Sequence, residues 1–382
     1  MKNRLPFLIS MFLMIALLAA CAGGNGQTTD TPLPAETAGA PQATQPADSQ
    51  GDPADTQGDP VTLNVMTHDS FAATEDVIRQ FEQENNIRLS FIRAGDAGSA
   101  LNRAILSKNA PIADVFYGID NTFLSRALEE GIFEKYESPL LEDIPDEFEI
   151  GERGMALPVD YGDVCINYDK AYFEAEGLAV PQSLADLTKP EYRGLLVVQN
   201  PATSSPGMAF LLATIDQFGE DGYLQFWEDL RANDVVVAND WESAYYTNFS
   251  GSSGQGPQPM VVSYNASPVA EVVFAETPPD DAPTGSIVAP GTCYRQIEFV
   301  GILSGTTQRE AAEKFVDFML SPAFQEDIPL QMFVYPVNPN AELPEAYQRF
   351  SVQPESPAEL DPALIAANRE AWITAWNETV LR

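Results

Sequence analysis

From Val61 onward, apolar residues gather in short runs set between stretches where they recur at helical spacing. Residues 62–66 read as a strand, and 75–84 as a helix with Val77, Ile78 and Phe81 on one face. Residues 88–92 give a second predicted strand. Ser99 is expected to cap a helix carrying Leu101, Ala104 and Ile105. Residues 113–119 are almost wholly apolar, as suits a parallel strand covered on both faces. This β-α-β-α-β succession predicts a parallel sheet with crossover helices.

After a long loop the pattern resumes at Ala156-Leu157-Pro158-Val159-Asp160-Tyr161-Gly162. Strands are predicted at 164–168, 195–199, 235–238, 260–264 and 296–303, and helices at 206–218, 223–231, 241–249 and 309–320. A last helix starts with Asp361 as N-cap and Pro362 in its first turn. Two α/β sets joined by crossing segments imply two lobes and a cleft. In such folds ligands sit where loops leave the carboxyl ends of strands. The expected division is lobe 1 at 61–159 and 287–330, lobe 2 at 160–286, and a C-terminal crossing segment with helices at 331–382.

The first 60 residues follow other rules. Lys2 and Arg4 precede an apolar run that ends Leu18-Ala19-Ala20-Cys21, the layout of a secretory signal over 1–20. The Leu-Ala-Ala-Cys end is similar to a bacterial lipobox, which implies acylation of Cys21 and an extracytoplasmic, membrane-anchored protein. Residues 22–60 lack Lys, Arg, Trp, Tyr and Phe, so 21–60 reads as a lipidated Cys on a disordered tether.

With 20 basic against 56 acidic residues, the formal net charge is −36, which argues against nucleic acid as a partner and favours cationic ligands. One histidine, His68, and three cysteines cannot build a Cys/His zinc site. No nucleophile motif surrounds His68, so no enzyme activity, metal or cofactor is expected, and the protein is expected to act as a monomer.

Candidate chemistry lies in the loops after predicted strands. Asp69 and Asp120 end two strands of the first set, placed to meet a cation or to cap the next helix. Thr203-Ser204-Ser205-Pro206-Gly207 opens a helix, as either a phosphate cradle or an ordinary cap. Trp241 and Tyr264 stand at strand ends of the second set, where an aromatic face holds a cation or packs into the core. Cys165 and Cys293 lie in or beside the crossing segments, as a disulfide or as two separate thiols.

At these loops the chain resembles the periplasmic thiamine-binding subunits of ABC importers, in the iron/thiamine/polyamine group of type II binding proteins. The resemblance is carried by Thr67-His68-Asp69-Ser70-Phe71, Gly118-Ile119-Asp120-Asn121, Asp160-Tyr161-Gly162, Pro201-Ala202-Thr203-Ser204-Ser205-Pro206-Gly207, Trp241-Glu242-Ser243-Ala244-Tyr245, Ser263-Tyr264 and Tyr335-Pro336-Val337. It implies a two-lobed type II periplasmic-binding-protein fold with a hinged cleft, an ABC permease as partner, and thiamine or its mono- or diphosphate as ligand.

By position, Ser204 would meet phosphate, while Trp241 and Tyr264 would sandwich the cationic ring. His68, Asp69, Ser70, Asp120, Asn121, Thr203, Ser205, Tyr245 and Phe333 complete the expected ligand set. Three positions depart from the family pattern: His68 and Ala270 stand for Tyr, and Phe333 for Trp. A protonated His68 would repel a thiazolium, so binding is expected to weaken as pH falls through its pKa. Alternatives are a ferric-iron binder using Tyr245-Tyr246, a polyamine binder, or a thiamine-cleaving enzyme with Cys165 as nucleophile.

Overall fold

The computed structural model describes residues 58–253 and 255–382. The expected signal at 1–20, the acylated Cys21 and the tether as far as residue 57 lie outside the described residues. The first units are β1 (Val61–Thr67), α1 (Glu75–Asn85), β2 (Ile87–Arg93), α2 (Ala97–Ser107) and β3 (Val115–Asp120). β1 lies between β2 and β3, parallel to both. All six residues of β3 are buried, which explains its unbroken apolar run. The start of α2 differs from expectation. Asp96 is its N-cap and accepts from the Ala97 N–H at 2.8 Å, so Ser99 falls inside the first turn.

Next come α3 (Leu124–Glu129), β4 (Phe133–Glu134), the long β5 (Leu157–Asp169) and α4 (Lys170–Glu176). The second α/β set contains β6 (Leu196–Gln199), α5 (Ser205–Phe218), α6 (Tyr223–Ala232), β7 (Val236–Ala238), α7 (Ser250–Ser253), β8 (Met260–Tyr264), α8 (Ser267–Val273) and β9 (Thr284–Ile287). Between β7 and α7, where an α-helix is predicted, the chain makes a π-helical turn at Ser243–Asn248. The return is β10 (Tyr294–Leu303), α9 (Arg309–Leu320), α10 (Pro322–Met332), β11 (Tyr335–Pro336), α11 (Glu345–Phe350) and α12 (Pro362–Val380).

The strands run in the order β2-β1-β3-β10-β5-β8-β6-β7. Both ends of this order are parallel, as the βαβ pattern requires. The middle pairs, β3–β10, β10–β5 and β5–β8, are antiparallel. Residues 157–164 of β5 pair with β10, and residues 164–168 pair with β8, so one strand serves both halves of this two-lobed fold. The register of β10 shifts on both sides of Phe299, a bulge where it passes from half to half. A disulfide joins Cys165 of β5 to Cys293, just before β10. The last helix begins as its sequence predicts: Asp361 accepts from the Ala363 N–H at 2.8 Å. It docks through Trp376, edge-on to Trp227 at 5.4 Å.

Candidate functional site: a cavity between the halves

A cavity of about 220 Å³ lies where loops leave the carboxyl ends of the parallel strands. After β1 come His68 and Ser70, after β2 Asp96, and after β7 Trp241. Tyr245 and Tyr246 enter from the π-turn, and Tyr264 from the end of β8. α8 supplies Ala270 and Glu271, with Phe274 just beyond it, while Phe333 follows α10 and Glu298 projects from the bulge of β10. Ser205 reaches the wall from the start of α5.

The aromatic walls meet at a corner. Trp241 stacks on Tyr245 at 5.0 Å and 18°, and its indole N–H donates to Ser263 Oγ at 2.9 Å. Tyr264 stands 6.5 Å from Trp241 at 60°, and its hydroxyl donates to Gln296 Oε1 at 3.2 Å. A ring sandwiched between the two would need near-parallel planes about 7 Å apart, twice a contact distance. Tyr245 already covers one Trp241 face, and Tyr264 offers a second wall of the same cavity at an angle to it. Phe333, in a left-handed conformation (φ 55°) at the end of α10, packs edge-on against Phe274 at 5.3 Å.

Under these rings lies a knot of ionisable groups. His68 Nε2 is 3.4 Å from Glu298 Oε2. The Tyr117 hydroxyl bridges Asp160 Oδ2 at 2.5 Å and Glu298 Oε2 at 3.0 Å. Burial alone would depress the His68 imidazolium, but Glu298, backed by Asp96 and Asp160, lifts it from 6.5 to about 9. Glu298 is held below the carboxylate range against its burial, chiefly by that imidazolium. Burial and the Glu298 charge push Asp160 well above the range. The knot therefore holds an imidazolium–carboxylate pair, with the Asp160 carboxyl pushed toward its protonated form. His68 stays charged there, so the expected loss of affinity on mild acidification does not follow. Gly118, at φ +94°, leaves room for the imidazole, since a Cβ there would lie 2.2 Å from His68 Cδ2.

The cavity thus brings together His68, Ser70, Ser205, Trp241, Tyr245, Tyr264 and Phe333 from the expected set. Five others point elsewhere. Asp69 accepts from the Gly95 N–H at 2.9 Å at the outer mouth. Asp120 is fully buried, accepting from the Thr122 N–H at 2.6 Å and from the Ser205 hydroxyl, and burial lifts it to about 6. The Asn121 amide holds β10 through Ile297 and Arg295. Thr203 Oγ1 donates to the Asn239 carbonyl at 2.6 Å. Ser204 is fully buried beside the Asp96 carboxylate, its hydroxyl without a bond of ordinary geometry. The three-hydroxyl stretch is therefore no open phosphate cradle in this closed arrangement, because two carboxylates of the other half press against it.

That closure is built from hydrogen bonds across the cleft. The Trp241 N–H donates to Asp96 Oδ2 at 3.1 Å, the Gly98 N–H to the Thr203 carbonyl at 3.1 Å, and Ser70 Oγ to Glu242 at 3.4 Å. Asp96, Glu271 and Glu298 escaped the sequence reading. Asp96 follows a predicted strand, so the strand-end rule would have found it. Glu298 is a lone acid within an apolar strand, itself a signal. Cys165 sits in the disulfide, so the free thiol required of a thiamine-cleaving nucleophile is not there.

The profile of a bacterial extracellular solute-binding protein matches residues 110–353. The thiamine-binding periplasmic protein of Escherichia coli (strain K12) is 33% identical over 324 residues, 84% of this chain and 94% of that protein. A solved periplasmic thiamin binding protein superposes with a TM-score of 0.74 at 31% identity, covering 85% of this chain and 97% of the other. The ferric binding protein from Campylobacter jejuni has a TM-score of 0.67 at 20% identity, covering 83% of this chain and 99% of the other, a likeness of fold alone.

Proposed function

This chain belongs to the bacterial extracellular solute-binding protein family, and from that premise we propose that it captures thiamine, free or phosphorylated, and delivers it to an ABC importer. One observation carries the reading. The Trp241–Tyr264 corner shares one cavity with Asp96 and Glu298, so a planar cation there finds ring faces and negative charge together. Relatives named for thiamine, alike over most of both chains, support the same ligand.

In this reading the free face of Trp241 takes the cationic ring, Tyr264 and Phe333 close around it, and Ser70 and Ser205 offer hydroxyls. Residues 61–159 with 287–330 form one lobe and 160–286 the other, hinged near Asp160 and Gly162, with 331–382 crossing between them. Ligand pulls the lobes shut, and the bonds from Asp96 and Gly98 across the cleft hold the form a permease recognises. Acylated Cys21 keeps the monomer at the membrane on its tether.

Titration calorimetry tests this. Thiamine should bind, and Trp241→Ala should weaken it by about 1–3 kcal/mol through lost stacking and cation–π contact. An unaltered dissociation constant removes Trp241 from the site, and no heat with thiamine rejects the ligand. Ferric iron is the second titrant, because Tyr245 and Tyr246 both line the cavity. A coloured complex would favour iron.

A further inference from the structure

Phe274 lines the cavity, yet it is 73% exposed. It closes α8, where its N–H donates to the Ala270 carbonyl at 2.9 Å, so it stands one turn beyond Ala270 on the same face. The cavity reaches Ala270, which offers it only a methyl. Helical side chains lean toward the preceding turn, which carries the Phe274 ring back over that methyl. Its ring packs edge-on against Phe333 at 5.3 Å and 66°. The start of the next segment therefore steadies a ring that water otherwise surrounds.

This ring lies well away from the Trp241–Tyr264 corner, and α8 sets the distance. The corner is tied to the first turn of α8. Ser267 Oγ lies 2.9 Å from Ser263 Oγ and accepts from the Tyr264 N–H at 3.2 Å, while Ser263 Oγ takes the Trp241 indole N–H. From Ser267 to Phe274 the helix rises about 10 Å. A single heterocycle at the corner cannot also touch Phe274. Two heterocycles joined through one carbon can, because the Phe274 ring leans back toward them.

We propose that Phe274 is the wall for the ligand's second ring, so that this cleft selects a cation carrying two aromatic rings over the cationic ring alone. The proposal rests on the thiamine reading and deepens it. The thiazolium sits at the corner, in the cavity it shares with Asp96 and Glu298, and the neutral aminopyrimidine is laid against Phe274. Phe274, Phe333 and Ala270 offer that neutral ring apolar surface. Glu271, next to Ala270, is engaged elsewhere, accepting from the Tyr245 hydroxyl at 2.7 Å. Covering Phe274 adds the burial of an exposed ring to the aromatic contact itself.

Competition calorimetry with thiamine and with its thiazolium half, N-methylated in place of the pyrimidine, provides the test. Phe274→Ala should weaken thiamine about three- to tenfold, the worth of one aromatic contact, and weaken the fragment far less. Phe274→Tyr keeps the ring and should keep the preference for thiamine. Damage to the fold would weaken both ligands alike and leave the ratio of their affinities unchanged. An unaltered thiamine affinity in Phe274→Ala, an equal loss for both ligands, or a loss in Phe274→Tyr as large as in Phe274→Ala would overturn the proposal and leave the thiamine reading standing. No heat with thiamine in the unaltered protein would overturn both.

Discussion

One imidazole sets the charge beneath the aromatic corner, and its pH response can be worked out. The folded pKa of His68, about 9, lies above its ordinary 6.5. A raised base stabilises the fold fully below pH 6.5, and that stability is lost as pH climbs through 9. The loss is on the order of 3 kcal/mol. Denaturant melts across this window should show the decline, and His68→Gln should flatten it. An equally steep decline in the variant would dismiss the pair as its source. For a cationic ligand the expected affinity is level between pH 5 and 8 and rises above about 9, where Glu298 is left without its partner. Binding titrations at stepped pH check this. The sequence named His68 as a departure, yet nothing near it in the chain announced Glu298. That pairing exists only because β10 runs between β3 and β5.

Among the elements, α2 and the crossing strands carry the mechanical burden. Gly98 of α2 lies against the opposite half, where a Cβ would meet the Ala202 carbonyl at 2.8 Å, and against its own half, where it would meet the Phe123 ring at 2.9 Å. Gly98→Ala should prop the cleft open and weaken ligand by about 1–3 kcal/mol, the usual cost of overpacking. An affinity equal to that of the unaltered protein would refute a role in closure. The Cys165–Cys293 bridge ties residues 128 apart in sequence on the two crossings. Reduction, or Cys165→Ser with Cys293→Ser, should lower stability by about 2–4 kcal/mol, chiefly by freeing the unfolded chain. Melting with and without reductant measures it. The periodicity located most of these elements, but it assigned an α-helix where the chain makes the π-turn of Ser243–Asn248. Apolar spacing cannot distinguish those two windings over a single turn.

Across the whole molecule, charge and hinge act together. A formal net charge of −36 gives the chain a negative field that attracts a cation from a distance. Association of a thiamine cation should therefore slow as salt rises, while dissociation from the closed form changes little. Stopped-flow tryptophan fluorescence separates the two rates. An association rate that ignores ionic strength would show that steering plays no part. Ligand should also raise the melting temperature in proportion to the logarithm of its concentration, as for any compound bound only by the folded state.

The sequence by itself determined the alternation of strands and helices, the strand-end loops as the place for chemistry, and the family pattern of Trp241, Tyr264 and their neighbours. These are local properties: periodicity, turn chemistry and short motifs are written within a few residues of where they act. Only the tertiary structure decided which polar side chains face the cavity and which face each other. It turned Thr203 and Asp120 to protein partners, set Trp241 at an angle to Tyr264, and placed Asp96 and Glu298 around His68. Those choices depend on strand register and on closure of two halves distant in the chain, and a buried donor or charge takes whichever partner that geometry brings within reach.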